Sequence, residues 1–211
     1  MRILETKELE PIGTNAYFFG DLVSGQAFLV DAPMGAYAWA KALCEQKGCS
    51  LTALLLTHGH WDHILDAPLF EAAGIPIFGH RADQALFEKP QCMANFALPG
   101  IELKGFQIDQ WLKEGDELLL AGQRLTVFEV PGHCPGSLLF FLAEASLAFV
   151  GDALFHRGIG RCDLPGGDFA QLEQSIRTKI YQLPDRTILY AGHGPKTSVI
   201  EEKRENPFVR S

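Results

Sequence analysis

The sequence predicts an α/β chain of the α+β kind, with helices covering two packed sheets in a four-layer αββα sandwich. Two observations carry this. Short β-like runs punctuated by Gly and Pro are bracketed by helical stretches, and neither a repeat nor a low-complexity linker divides the 211 residues, so one domain over 1–211 is expected. Periodicity taken by itself gives only a mixed α and β chain; the bracketing suggests the layers.

The strand runs Arg2–Leu9, Ala16–Gly20 and Gln26–Val30 come first, followed by a helix over about Ala36–Gln46 that Gly48 stops. A buried strand, Leu51–Leu56, leads into Thr57-His58-Gly59-His60-Trp61-Asp62-His63, and a helix is expected over about Asp62–Ala73, ended by Gly74. Strands are then expected at Ile75–Phe78, Phe106–Leu112, Glu117–Leu120 and Arg124–Val130. Ser137–Leu142 and Leu147–Val150 pair through a turn at Glu144. A long helix capped by Asp168 runs to about Leu183, and a last strand, Thr187–Tyr190, ends in Ala191-Gly192-His193.

Composition narrows the class. With 47% hydrophobic and 21% charged residues the chain is ordinary globular material. A net charge of −8 argues against a surface that tracks phosphates, so no nucleic-acid partner is expected. Five cysteines, odd in number and without a CxxC pair, fit a reducing cytosol. The opening MRILETKELEPIG has no apolar core of a secretory signal, and no apolar run is long enough to span a bilayer. A cytoplasmic chain without membrane partners is the expectation.

Chemistry concentrates at strand ends. His58, His60, Asp62 and His63 follow an apolar run that must be buried, and unpaired imidazoles there would be costly. Two histidines two apart on an extended loop point the same way, while Asp62 and His63 fall in the first helical turn, so one loop offers two sets of ligands. Imidazole and carboxylate suit zinc, iron or manganese. His133, Asp152 and His193 each follow another apolar strand and sit beside a glycine that leaves room for close approach. Four strand ends supplying His or Asp point to a metal centre rather than to packing.

HGHWDH, PGHCPGS, GDALF and GHGP, in that order, resemble the metallo-β-lactamase superfamily, especially its type II glyoxalase (hydroxyacylglutathione hydrolase) branch. The segment from Gly160 to Asp168 looks like a bacterial single-domain subgroup of that branch. The resemblance implies two divalent metal ions, zinc first among them. His58, His60 and His133 would hold one, Asp62, His63 and His193 the other, and Asp152 would bridge both, with Asp62 and Asp152 as the catalytic carboxylates. It implies hydrolysis of a small thioester such as a 2-hydroxyacyl-glutathione by a metal-bound hydroxide. The rival chemistry is a persulfide dioxygenase with one iron on His58, His133 and Asp152. A metal- or thiol-sensing module without catalysis fits less well, because all seven ligands are present.

By the same resemblance Arg161 stands where a basic residue contacts a glutathione carboxylate; a surface pair with Asp163 or Asp168 is the alternative. Asp163 itself replaces an aromatic contact of the two-domain enzymes, which leaves room for a different thioester. His80 reads as a cap on a following helix, His156 as an entrance or surface residue, and Cys134 and Cys162 as small packing residues.

Overall fold

The computed structural model describes residues 1–210. One six-stranded sheet runs in the order β1 (Arg2–Leu9), β2 (Thr14–Asp21), β3 (Gln26–Val30), β4 (Ser50–Leu55), β5 (Ile77–His80), β6 (Gln110–Leu112). The first two pairings are antiparallel and the rest parallel. A second six-stranded sheet holds β7 (Glu117–Leu120), β8 (Gln123–Glu129), β9 (Leu138–Leu142) and β10 (Leu147–Gly151) as an antiparallel meander. Beyond a small hairpin of β11 (Leu154–Phe155) and β12 (Gly158–Ile159), β13 (Ile188–Ala191) joins β10 in parallel and β14 (Thr197–Ser198) closes that edge.

Alternating side chains of these strands enter different cores. Tyr17, Phe19, Phe28 and Leu55 meet Val127, Leu138, Phe140 and Phe149 between the sheets. Their neighbours Phe18, Leu29 and Leu54 face outward onto helix α1 (Ala36–Lys47), α2 (Trp61–Ile64) and α3 (Ala67–Ala72). A fourth helix on this face is α4 (Gln84–Glu88), whose Phe87 joins the same core. On the far side Leu139, Ala148 and Leu189 pack on α5 (Phe169–Thr178) and α6 (Val199–Glu205) through Leu172, Ile176 and Val199. The four layers are those the bracketing suggested.

Several expected elements change. The helix expected over 62–73 is broken into α2 and α3. Pro68 has no N–H for the Ile64 carbonyl, and the Asp66 N–H is taken by the Ala32 carbonyl at 2.8 Å. Of the strand expected over Phe106–Leu112 only Gln110–Leu112 is in the sheet. The Phe106 N–H instead bonds the Phe87 carbonyl at 3.1 Å, which docks that segment on α4. The helix after Asp168 ends at Thr178 and gives way to a 3-10 turn over Ile180–Gln182. Asp168 does cap it, accepting from the Gln171 N–H at 3.0 Å. α4, α6, β14 and the β11–β12 hairpin were not expected, being too short to show a period. Among the described residues no helix is long and apolar enough to cross a membrane.

Phe140 is fully buried between the sheets and pairs in register with Phe149. Phe140→Ala should lower the unfolding free energy by about 3–5 kcal/mol, read from guanidinium melts. A loss of only a few tenths would show that the two sheets are not close-packed there.

Candidate metal centre

Four chain segments bring the chemistry to one edge of the sandwich. They follow β4, β8, β10 and β13, and they carry His58 to His63, His133, Asp152 and His193 respectively. Two main-chain hydrogen bonds tie the sheets together at this edge: Leu138 N–H to the Thr57 carbonyl, and Asn15 N–H to the Gly192 carbonyl, both 2.7 Å.

All seven sequence-predicted ligands converge. Donor atoms of His58, His60 and His133 lie within 4.8 Å of one another, as do those of His58, His63 and Asp152, and those of Asp62, His63 and His193. Asp152 touches both halves. Its Oδ1 is 3.3 Å from His63 Nε2, and its Oδ2 is 3.6 Å from His133 Nε2 and 3.5 Å from His193 Nε2. Asp62 Oδ2 is 3.3 Å from both His63 Nε2 and His193 Nε2.

The outward ring nitrogens are held by the protein, which fixes the ring orientation. His133 Nδ1 faces the main-chain carbonyl of Arg161 at 2.7 Å, and His193 Nδ1 that of Gly13 at 3.1 Å. His63 Nδ1 faces Asp31 Oδ2 at 2.8 Å, and His58 Nδ1 faces Thr57 Oγ1 at 3.1 Å. Carbonyl and carboxylate oxygens only accept, so His133, His193 and His63 carry their proton on Nδ1 and turn Nε2 inward. His60 is the exception, with Nδ1 toward His133 Nε2 at 2.8 Å. Thr14 donates its hydroxyl to Asp62 Oδ2 at 2.7 Å.

Electrostatics follow from this crowding. Burial pushes His58 well below the ordinary histidine range, and His63, His60 and His133 push it further; burial and His133 bring His60 down to about 3. Both rings are therefore neutral and can offer lone pairs. For His63 burial acts downward too, but Asp62, Asp152 and Asp31 outweigh it and raise the group well above its usual value. Burial acts upward on Asp62 and Asp152, yet His63 and the other imidazoles outweigh it and keep both carboxyls ionised below the usual range.

Three buried atoms here, His58 Nε2, His63 Nε2 and Asp152 Oδ1, have no hydrogen-bond partner. An unsatisfied buried polar atom costs about 1–3 kcal/mol, so three in one small cluster fit an occupant that takes lone pairs. Nitrogen and oxygen donors with buried negative charge fit divalent cations of the borderline kind. The residues present thus suit a metal centre. The space is tight on the protein side: a Cβ on Gly192 would lie 2.0 Å from Asp152 Oδ1, and one on Gly160 would lie 1.9 Å from the Asp152 carbonyl.

Two carboxylates that the sequence did not flag support the centre. Asp31, directly after β3, accepts from the Thr57 N–H and hydroxyl, both 2.8 Å, besides facing His63. Asp83 is fully buried beneath the ligand loops. It accepts from the Gly59 N–H at 2.8 Å, the Gly136 N–H at 2.7 Å and the Cys134 thiol at 3.1 Å. One side chain therefore clamps the loop of His58 and His60 to the loop of His133. Asp31 carried the same signal as the ligands, a carboxylate after an apolar strand. Asp83 carried none.

The remaining candidates separate. Cys134 packs against Asp83 as a buried small residue, and Cys162 is half-buried with its thiol 3.5 Å from the Gly160 carbonyl. His80 accepts from the Ala82 N–H on Nδ1 at 3.2 Å, capping the following turn. His156 pairs with Glu201 at 3.2 Å. The Arg161 guanidinium is in a two-pronged pair with Asp163, both contacts 2.7 Å, at the exposed mouth of the cavity over the centre. That cavity has a volume of about 580 Å³, and His60, Asp62, His133, Asp152 and His193 form its floor.

A model of the metallo-beta-lactamase superfamily matches residues 9–193, and the chain belongs to that superfamily. Among its relatives is hydroxyacylglutathione hydrolase GloC of Haemophilus influenzae, 44% identical over 79% of this chain and 80% of that protein. The crystal structure of BLEG-1 B3 metallo-beta-lactamase superposes with a TM-score of 0.90 at 33% identity, covering 99% of this chain and all of that one, 100%. TTHA1623 in a di-iron-bound form gives a TM-score of 0.85 at 34% identity over 97% and 100% of the two chains.

Asp152→Ala should remove more metal than His193→Ala, since Asp152 faces both halves of the cluster; metal analysis after gel filtration reads the difference. Equal retention in the two variants would show that Asp152 serves only one half. Asp83→Asn replaces an acceptor with a group that also donates, and should weaken metal retention about 10- to 100-fold, the range for residues that orient ligands. Chelator competition measures it, with the circular dichroism spectrum unchanged.

Proposed function

We propose that this chain is a dinuclear metallo-hydrolase that cleaves thioesters, with 2-hydroxyacyl-glutathione the first substrate to test. The observation that carries the reading is the double ligand set sharing Asp152 on the floor of a substrate-sized cavity. The relative named hydroxyacylglutathione hydrolase supports the choice of bond. His58, His60 and His133 would hold one ion, Asp62, His63 and His193 the other, and Asp152 both. Bound there, two divalent ions supply a hydroxide near neutral pH and polarise the substrate carbonyl.

The protein's own residues do the rest. Among the described residues lining the cavity, Asp62 and Asp152 are the sole carboxylates, and both are turned to the imidazoles, so no separate side chain stands ready as general base. Thr14 holds Asp62 in place, and the Arg161 carbonyl holds the His133 ring. Apolar side chains line the cavity above the floor, where the substrate would lie. Zinc is the favoured ion, with iron and manganese compatible with the same donors.

Purified protein should carry close to two transition-metal ions per chain and release free thiol from a 2-hydroxyacyl-glutathione. Turnover should be lost on dialysis against a chelator and return with zinc, manganese or iron. One tightly held iron, together with oxygen uptake on glutathione persulfide, would move the reading to a dioxygenase.

A further inference from the structure

The cavity's upper walls are chemically unlike its floor. One wall comes from a single stretch of chain: Leu86 on α4, Cys92 and Met93 on the turn after it, then Phe96 and Leu98. It stands directly against the ligand loop, because a Cβ on Gly59 would meet the Leu86 Cβ at 2.7 Å. Phe155 and Ile159 of the small hairpin, with Leu164 and Pro165, line the cavity as well. Phe155 lies edge-on to the His193 ring, centroids 6.0 Å apart, so this part of the lining too reaches the floor.

Phe96 is 47% exposed, Leu98 44% and Ile12 45%, and all three line this one cavity. Large apolar groups grouped at a concave mouth mark a binding surface. Charge points the same way. Among the described residues lining the cavity, Arg161 is the sole lysine or arginine, and Asp163 already engages it with both carboxylate oxygens. The pair presents no net charge to a ligand, and a substrate carboxylate would have to displace Asp163 to reach Arg161. Glutathione brings two carboxylates and an ammonium; nothing on these walls repays their desolvation.

We propose that this cavity prefers thioesters whose acyl chain is apolar, laid against the wall formed by Leu86, Met93, Phe96 and Leu98, and whose thiol arm is uncharged rather than charged. The proposal narrows the thioesterase reading and rests on it for the bond that is cut. Burial of each added methylene strengthens binding severalfold at most. Lengthening an acyl group from acetyl to hexanoyl on the uncharged thiol N-acetylcysteamine should therefore raise kcat/KM at least tenfold in the metal-loaded protein. The glutathione thioester of the same acyl group should show the higher KM.

Two variants localise the effect. Phe96→Ser with Leu98→Ser, both at exposed positions, should lower the hexanoyl-to-acetyl ratio of kcat/KM about fivefold to tenfold. Asp163→Ala releases Arg161 and should lower the ratio of the glutathione KM to the N-acetylcysteamine KM by roughly tenfold. Calorimetric binding of uncleavable S-methyl and S-hexyl thioethers of N-acetylcysteamine reads the wall without turnover. Equal affinity for the two thioethers, or a glutathione thioester preferred by the wild type, overturns the proposal. Length-dependent thioether binding with no thiol released from any thioester upholds the apolar site and overturns thioester hydrolysis alone.

Discussion

Asp31 is buried, sits in the left-handed backbone region at φ 61, and accepts from both the N–H and the hydroxyl of Thr57. Aspartate tolerates that conformation better than most residues. Because the Thr57 hydroxyl hydrogen is spent on Asp31, its oxygen can only accept from His58 Nδ1, which leaves His58 Nε2 with a free lone pair. The same carboxylate accepts a hydrogen bond from His63 Nδ1–H and so turns that Nε2 toward the centre as well. One side chain outside the ligand set thus fixes the tautomer of one histidine in each half of the centre. The Thr57 carbonyl meanwhile bonds Leu138, so the arrangement also joins the two sheets where the ligands meet.

The layered cores explain how such a crowded site persists. Five imidazoles and two carboxylates at close range would relax apart on a pliant scaffold. Here they are carried by strand ends whose preceding residues are buried on both faces, Leu54 and Leu55 in β4, Phe149 and Val150 in β10. Moving a ligand means moving packed side chains in two separate cores, which close packing resists. Asp83 supplies the missing stiffness between loops, since the segments after β4 and β8 have no ladder of their own.

Much of this was legible in the chain. Each ligand segment follows an apolar run and carries a glycine beside a ligand, a local pattern that needs no tertiary knowledge. The layers were less legible because strands buried on both faces, such as Leu138–Leu142, read as continuous apolar runs without alternation. The helix expected over 62–73 failed at a proline whose meaning depends on where Ala32 lies in space. Asp83 was invisible for a related reason: its partners Gly59 and Gly136 are far away in sequence and show only their amide hydrogens. Arg161 admitted two readings, and its guanidinium is found with Asp163 while its carbonyl orients a ligand, a role no side-chain chemistry announces.

The glycines behind the centre divide the molecule into a part that natural variation can reach and a part that it cannot. A single methyl group at Gly192, Gly160 or Gly136 would run into Asp152, His133 or Asp83 at 1.9 to 2.8 Å, so these positions admit no graded change. The side chains of Phe96, Leu98 and Arg161 on the rim press on no such atoms and end in solvent. New substrates can therefore be acquired by drift or by directed evolution along the rim while the chemistry beneath stays fixed, so libraries confined to those exposed rim positions would keep the largest fraction of active clones.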